Sequence, residues 1–312
     1  MGAERTLATL DEPSLERRRL VDSAVLSDYW EITKPEVNFL IVITTFAGFY
    51  LGRAAPHRDF PLLLLVNALL GTLLVASGAG TLNQYIERRF DAQMRRTARR
   101  PLAAGRLNPS AVLWFGVSLS TAGSIYLAVA VNGLVSMLAM FTILSYLFFY
   151  TPLKRKTPLC TLVGAVPGAM PPLIGWAAAC GKVTFEAGTL FLVIFLWQFP
   201  HFMAIAWMYR DDYHRADYLV LPRGHAGARF ATLQTLLPLW LLIPLGLLPG
   251  FAGQPNMFYC IGASILSLGF FYYGAQFALY RSSSAARRLL AASIIYLPLL
   301  FLLMIFRKMA GG

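Results

Sequence analysis

The sequence predicts an all-α polytopic membrane protein with nine transmembrane helices. Hydrophobic residues make up 57% of the 312 residues, and charged residues only 13%. Apolar runs of about 20 residues recur along the chain, which is the length a helix needs to cross roughly 30 Å of bilayer hydrocarbon. The sequence lacks the alternating ten-residue segments of an outer-membrane barrel. We therefore expect a bundle of membrane-spanning helices.

Each apolar run is assigned to one span. The runs cover 37–54, 61–82, 111–131, 133–150, 158–178, 187–208, 231–250, 257–279 and 289–306. The fifth run contains Pro167, Pro171 and Pro172, so we expect an interrupted helix whose freed carbonyl groups face protein or a cavity.

The basic residues orient this predicted bundle, because cytoplasmic loops of membrane proteins carry an excess of Lys and Arg. With nine spans, most of the 27 Lys and Arg residues fall on the side of the amino terminus. The other side holds Arg53, Arg58, Lys182, Arg307 and Lys308. We therefore expect a cytoplasmic N-terminus and an external C-terminus. The formal charge of +12 follows from this asymmetry and from any anion site, and it indicates no nucleic-acid partner.

The segment before the first span is predicted to be a cytoplasmic, flexible tail. It covers 1–29, and 30–312 form the transmembrane domain. The tail lacks the apolar core of a signal peptide, and its acidic residues argue against a mitochondrial transit peptide. We expect a multi-pass protein of the bacterial inner membrane.

A charged stretch follows the second apolar run and carries the first candidate site. If its start is helical, Asn83, Glu87 and Asp91 lie on one face, because residues four apart are neighbours on a helix. We call these three residues the ladder. Oxygen-bearing side chains in this arrangement suit a divalent cation, and the neighbouring arginines suit a polyanion.

Two further polar segments are expected on the same side of the membrane. Asp211 and Asp212 follow the sixth run, and Lys154 and Arg155 follow the fourth. The ladder could hold one Mg²⁺ and the two aspartates another, while Arg95, Lys154 and Arg155 bind the remaining oxygens of a diphosphate. The alternative is that these acids are loop charges paired with nearby arginines.

Three segments make the chain resemble the UbiA superfamily of intramembrane prenyltransferases, and within it the branch of protohaem IX farnesyltransferases. The segments are LNQYIERRFDAQMRRTARRPLAAGRL, YTPLKRKTPLCTLVGAVPGAMPPLIGW and FLWQFPHFMAIAWMYRDDYHRADYLVLP. The resemblance implies nine helices around a cavity and an enzyme that uses Mg²⁺. It implies farnesyl diphosphate and haem B as substrates and haem O as product, with Mg²⁺-assisted ionisation of the diphosphate and addition of water.

The same resemblance assigns roles to particular residues. The metal–diphosphate motifs fall on Asn83, Glu87, Asp91, Asp211 and Asp212, and the basic loop falls on Lys154 and Arg155. Asp217 stands where members of the haem branch usually have glycine, so it is not assigned as a ligand.

For His201 and Tyr150 the sequence leaves two candidate roles each. His201 is the only histidine within an apolar run, so it is a candidate axial ligand of haem iron or a hydrogen-bonded residue between helices. Tyr150 could bind diphosphate or shield a carbocation, or it could be an interfacial tyrosine.

Two other functions remain possible from the sequence. One is a sister prenyltransferase acting on a quinone precursor such as 4-hydroxybenzoate. The other is a transporter, although transporters place charged sites near the membrane midplane. A haem O-modifying enzyme or an oxidase assembly is a candidate recipient of the product.

Overall fold

A computed structural model describes residues 23–53, 60–251 and 256–310. Within these ranges the regular structure is entirely helical, and nine helices are long and apolar enough to cross a membrane. The predicted spans are confirmed for this part of the chain. Most of the predicted tail, 1–22, lies outside the described residues.

The helices are numbered in chain order from α1, which covers 23–32. The others are α2 (Pro35–Gly52), α3 (Leu62–Asp91), α4 (Pro109–Ala130), α5 (Gly133–Leu144), α6 (Thr151–Leu153), α7 (Cys160–Cys180), α8 (Phe185–Met208), α9 (Arg210–Arg215), α10 (Gly224–Phe251), α11 (Met257–Tyr280) and α12 (Ser283–Ala310). A π-helical turn, Ser145–Tyr150, joins α5 to α6, and these three segments form the fourth span.

Three spans are longer than their apolar runs predicted. α3 continues beyond the predicted end at residue 82 to Asp91, and α10 and α12 begin earlier than predicted, at Gly224 and Ser283. The extra turns carry polar residues, so hydrophobicity alone does not mark them, although the Arg, Glu, Gln and Ala among them favour a helix. The 30 residues of α3 make it about 45 Å long, well beyond the hydrocarbon thickness.

The prediction of an interrupted fifth span is wrong. α7 is continuous from Cys160 to Cys180 with Pro167, Pro171 and Pro172 inside it. Each proline removes its own N–H donor and crowds the carbonyl group four residues before it, but neighbouring helices and local backbone adjustments let a transmembrane helix accommodate this. α7 packs against both α2 and α8.

Small residues bring α2 and α7 into unusually close contact. A Cβ atom built on Gly175 would lie 1.9 Å from the carbonyl oxygen of Thr45, and one built on Gly48 would lie 2.1 Å from that of Pro172. Small residues at such crossings allow backbones to approach, which favours association of helices in lipid. This contact fixes the first span against the fifth.

The buried apolar side chains form two large clusters. The larger draws mainly on α8, α10, α11 and α12, and the second on α2, α3, α5 and α7 with Leu127 of α4. The two halves meet where α7 packs on α8 and where α12 packs on α2. Lys308 strengthens the second contact, because its Nζ donates to the carbonyl oxygens of Leu51 and Arg53 at the end of α2.

A sharp turn separates α1 from α2. Lys34 has φ of 58°, in the left-handed region, immediately before Pro35. Asn38 braces the turn, since its Nδ2 donates to the Thr33 carbonyl oxygen at 2.8 Å and to Ser77 Oγ at 2.9 Å. The turn directs the Lys34 side chain towards α3.

Residues 23–29 of the predicted tail belong to α1. Tyr29 packs edge-on against Phe115 of α4. Arg106, in the loop between α3 and α4, binds both carboxylate oxygens of Asp28 and also contacts Glu31 at 3.3 Å. The Asp28 carboxylate raises the pKa of Arg106. This loop is therefore held against α1.

Candidate functional site

The ladder lies on the last turns of α3, as the four-residue spacing predicted. Asn83, Glu87 and Asp91 are all helical and buried, with exposed fractions of 1%, 5% and 1%. Buried carboxylates require compensating partners, because removing a charge from water is costly. Each of the three side chains has such a partner from another segment.

The first two partners are lysines. Lys34 Nζ donates to Asn83 Oδ1 at 2.8 Å, and the Asn83 amide donates to Thr151 Oγ1 at 3.1 Å. Lys154 Nζ donates to both carboxylate oxygens of Glu87, at 2.8 and 3.1 Å.

The third partner comes from the loop between α3 and α4. Arg100 Nη1 donates to Asp91 Oδ2 at 2.8 Å, and the Asp91 side chain is 2% exposed. The Asp91 carbonyl oxygen accepts a hydrogen bond from Thr97 Oγ1 at 2.8 Å. The loop therefore folds back over the end of α3.

Lys154 lies between the ladder and the segment after α9. Its carbonyl oxygen accepts a hydrogen bond from the Leu219 N–H at 2.7 Å. Its Nζ lies 4.6 Å from the ring centroid of Tyr150 and 5.9 Å from that of Tyr218. Burial opposes the charge, but the Glu87 carboxylate outweighs it and holds the pKa of Lys154 well above its usual value.

Lys34 is in a different electrostatic situation. Burial, followed by the positive charges of Arg100 and Lys154, lowers the pKa of Lys34 to about 7. Three basic side chains thus converge on two carboxylates, so the end of α3 is suited to receive a further anion.

The two adjacent aspartates of the second acidic segment point in different directions. Asp212 is buried, and its Oδ2 accepts a hydrogen bond from the Arg96 N–H at 3.2 Å, while its Oδ1 pairs with Arg215. Asp211 is 85% exposed and lies 4.0 Å from Arg210. It lines a separate cavity of about 240 Å³ beside Trp207. The structure joins Asp212 to the loop after the ladder and leaves Asp211 apart.

The other predicted diphosphate residues differ in position. Tyr150 stacks on Tyr146, with ring centroids 5.5 Å apart, and lies beneath the Lys154 ammonium. Arg155 is exposed and lies over the Phe90 ring at 4.2 Å. Arg95 is exposed and has no ion pair or hydrogen bond within the described ranges. Tyr150 therefore belongs to the buried cluster, and the two arginines lie at its surface.

His201 of α8 packs against α12, and its contacts within the described residues include no ladder residue. Its Nδ1 is 2.8 Å from Ser293 Oγ of α12, and Ser293 Oγ donates to the Leu290 carbonyl oxygen at 2.6 Å. When the single hydroxyl proton goes to the Leu290 carbonyl oxygen, Nδ1 is the donor to Ser293 and Nε2 retains a lone pair. The imidazole stacks on Trp197 at 4.7 Å.

Sequence reasoning did not select Tyr218, although it lies within the third motif quoted above. Its side chain is 3% exposed, and its hydroxyl lies close to the Glu87 carboxylate without a well-formed hydrogen bond in the described part of the chain. Burial and the Glu87 carboxylate raise the pKa of Tyr218. Such an orphaned donor beside Lys154 is available to a ligand.

The donor set of the ladder fits Mg²⁺. Two carboxylates and an amide oxygen are hard ligands, and Mg²⁺ commonly takes one or two protein carboxylates and completes its shell with water and phosphate. Among the described residues no group of three His, Cys, Asp or Glu side chains forms a metal cluster. The ladder is therefore better suited to a metal shared with a phosphate ligand than to an all-protein site.

Comparison with known proteins places this arrangement in a family. A model of the UbiA prenyltransferase family matches residues 41–304. The chain belongs to the UbiA prenyltransferase family. Among its relatives is a protein from Solibacter usitatus named protoheme IX farnesyltransferase, which is 45% identical over 286 residues, or 90% of this chain and 98% of that protein. Membership of this family favours an enzyme over the transporter alternative.

Solved structures of the UbiA fold have the same architecture. A digeranylgeranylglyceryl phosphate synthase superposes with a TM-score of 0.73 at 17% identity and covers 90% of this chain and 97% of that one. A UbiA homologue from Archaeoglobus fulgidus, bound to GPP and Mg²⁺, superposes with a TM-score of 0.60 at 14% identity, covering 89% and 99% of the two chains. These similarities support the fold.

Proposed function

We propose that the protein transfers a farnesyl group from farnesyl diphosphate to a vinyl group of haem B, with addition of water, to give haem O. The observation that carries the proposal is the buried ladder with Lys154 donating to Glu87, set in a UbiA-family bundle. The 45% identity to a relative named protoheme IX farnesyltransferase supports haem as the acceptor.

The reaction breaks the allylic C–O bond, the π bond of the vinyl group and one O–H bond of water, and it forms one C–C bond and one C–O bond. The allylic C–O bond to diphosphate breaks, and the electron pair leaves with diphosphate. The terminal vinyl carbon of haem then forms a C–C bond to the farnesyl carbocation. Water adds to the resulting cationic carbon next to the porphyrin and loses a proton, which leaves a hydroxyethylfarnesyl substituent.

The residues of the site have distinct tasks in this reaction. Asn83, Glu87 and Asp91 would hold Mg²⁺, which when bound neutralises charge on the departing diphosphate. Lys154 and the Tyr218 hydroxyl donate hydrogen bonds to diphosphate oxygens, which stabilises the leaving group. The Tyr150 ring, already beneath one cation, stabilises positive charge on the allyl group.

Other predicted residues take supporting roles. Arg95 and Arg155, at the surface of the cluster, attract the diphosphate group as it approaches. Asp212 positions the loop after the ladder through its bond to the Arg96 N–H. We do not place Asp211 at the metal, because its side chain is 85% exposed and lines a cavity beside Trp207 that includes no ladder residue.

His201 is the proposed contact to the haem iron. Its Nδ1–H is fixed by Ser293, which orients the ring and leaves Nε2 free to bind iron. A His201→Ala variant should bind haem with an altered absorption spectrum, whereas an unchanged spectrum would exclude iron ligation.

The proposed setting is the bacterial inner membrane, with the ladder end of the bundle cytoplasmic. Lys and Arg cluster at this end, as the positive-inside rule requires. Labelling of inverted vesicles would test this orientation. A cysteine placed at exposed Arg95 should react with a membrane-impermeant thiol reagent only when the vesicles are inverted. A haem O-modifying enzyme or an oxidase assembly would receive the product.

The decisive experiment is incubation of the purified full-length protein with haem B, farnesyl diphosphate and Mg²⁺. Mass analysis of the extracted haem should reveal the gain of one farnesyl group and one water-derived hydroxyl. A parallel reaction with 4-hydroxybenzoate in place of haem should give no product. Prenylated 4-hydroxybenzoate with unmodified haem would overturn the proposal in favour of the quinone-precursor enzyme.

A further inference from the structure

Each member of the ladder is held by one basic side chain from a different part of the chain. The pairs are Lys34 with Asn83, Lys154 with Glu87, and Arg100 with Asp91. The three donors come from the α1–α2 turn, the loop after α6 and the loop after α3. Every oxygen-bearing group that would bind metal therefore already has a donor.

We propose that these three basic side chains, here called the placeholder trio, occupy the metal positions before substrate arrives and move to diphosphate oxygens when metal binds. The proposal rests on the proposed function and extends it. It assigns Lys34 and Arg100, together with Lys154, to diphosphate binding, and it makes metal binding an exchange of partners.

Lys154 provides the strongest geometric support. Its Nζ lies within 2.8 and 3.1 Å of the two Glu87 oxygens, so it occupies both of them. The ammonium group therefore lies where a cation chelated by both oxygens would lie, and chelation of a metal ion by Glu87 requires it to move. A buried carboxylate without a cation is costly, so the lysine and the metal are alternative partners for Glu87.

The displaced side chains remain beside the site where phosphate oxygens would lie. Phosphate oxygens accept strong, charge-assisted hydrogen bonds from both ammonium and guanidinium groups. Diphosphate therefore lowers the cost of displacing the trio, and we expect metal and diphosphate to bind cooperatively.

A different role is conceivable for Arg100. It uses only Oδ2 of Asp91, so it could instead orient this carboxylate while Oδ1 binds metal. The two roles predict opposite effects of removing the guanidinium. Loss of an orienting partner weakens metal binding, whereas loss of a placeholder strengthens it.

The test measures binding rather than turnover. Mn²⁺, which shares the preference of Mg²⁺ for oxygen ligands, is titrated into the full-length protein in nanodiscs and followed by electron paramagnetic resonance. Without diphosphate, Lys154→Gln and Arg100→Gln should each bind Mn²⁺ about tenfold more tightly than wild type. With Mn²⁺ present, calorimetry should give about tenfold weaker binding of inorganic pyrophosphate by both.

The chain supplies matched controls. Lys156 and Arg99 are exposed neighbours that donate to no carboxylate among the described residues. Lys156→Gln and Arg99→Gln should therefore bind Mn²⁺ and pyrophosphate as wild type does. Should Lys154→Gln fail to fold, Arg100→Gln tests the same exchange at Asp91, and Lys34→Met tests it at Asn83.

The outcomes separate this proposal from the proposed function. Unchanged or weaker Mn²⁺ binding by the variants, in a protein that binds Mn²⁺ with pyrophosphate, overturns the placeholder role alone. Failure of the wild type to bind Mn²⁺ even with pyrophosphate overturns the metal assignment beneath both proposals.

Discussion

The carboxylate of Asp212 accepts a hydrogen bond from the backbone N–H of Arg96 at 3.2 Å, which ties two segments 116 residues apart in sequence. Asp212 also pairs with Arg215 on its own helix. The second acidic segment thus supports the loop that folds over the ladder. This contact distinguishes Asp212 from its exposed neighbour Asp211.

Replacement of Asp212 by alanine should reduce kcat/KM for haem O formation by at least about tenfold, because the charge-assisted bond that holds the loop over the ladder is lost. Asp211→Ala is the matched control and should remain within about twofold of wild type, since exposed charges contribute little. Steady-state assays at several farnesyl diphosphate concentrations measure both. An equal loss in the two variants would indicate that both aspartates bind the metal.

Loss of a ladder carboxylate should abolish chemistry without removing the acceptor. Glu87→Ala or Asp91→Ala should lower Mg²⁺-dependent farnesyl transfer by about a hundredfold or more, because charge on the departing diphosphate is no longer neutralised. Haem binding, followed by absorption, should persist. Normal haem O formation by either variant would exclude the metal assignment.

The orphaned hydroxyl of Tyr218 provides a more selective test. Tyr218→Phe should weaken diphosphate binding by about fivefold, because one hydrogen bond to the ligand is lost. The melting temperature should remain unchanged. Tyr85→Phe, on the same helix as the ladder but half-buried beneath Arg88, serves as control and should bind normally. Isothermal calorimetry with a non-hydrolysable farnesyl diphosphate analogue compares the two. Equal affinities would remove Tyr218 from the site.

Asp217 has φ of 53°, in the left-handed region that glycine adopts without penalty. This conformation explains why glycine suits the position. Asp217→Gly should raise the free energy of unfolding by up to about 1 kcal/mol and leave activity unchanged. Ala216→Gly, at the adjacent buried position with φ of −89°, should instead destabilise the protein. Thermal unfolding in detergent measures both, and lower stability of Asp217→Gly would contradict the interpretation.

Lys308 joins the last span to the first. Lys308→Met should lower the free energy of unfolding by about 1–3 kcal/mol, because two carbonyl groups at the end of α2 lose their donor. Lys182→Met removes an exposed lysine and should have little effect. Melting temperatures of the purified variants provide the comparison. An unchanged melting temperature for Lys308→Met would mean that side-chain packing alone holds α12 against α2.

The sequence predicts the bundle well because each span is an apolar run of the right length. It predicts the ladder because the four-residue spacing holds wherever α3 is helical. It misses the end of α3 at Asp91, since the last turns are polar and resemble a loop. α7 remains continuous because its three prolines are packed between neighbouring helices, a context that the local sequence does not contain.

The site is only partly predictable for a similar reason. Lys154 follows from its motif, but Lys34 reaches Asn83 through a left-handed turn that no periodicity reveals. Arg100 is one of many arginines in its loop, and only the fold selects it for Asp91. Adjacent aspartates on a short helix cannot face the same way, so Asp211 and Asp212 separate when α9 forms.

The length of α3 has a consequence for the handling of substrates. Its last turns extend beyond the hydrocarbon, so the ladder meets the polar layer while the helix below it borders the apolar interior. A prenyl diphosphate would be divided between these two phases, with its head in water and its tail in lipid. Cleavage would then release diphosphate on the aqueous side, while the prenyl group remains within the hydrocarbon.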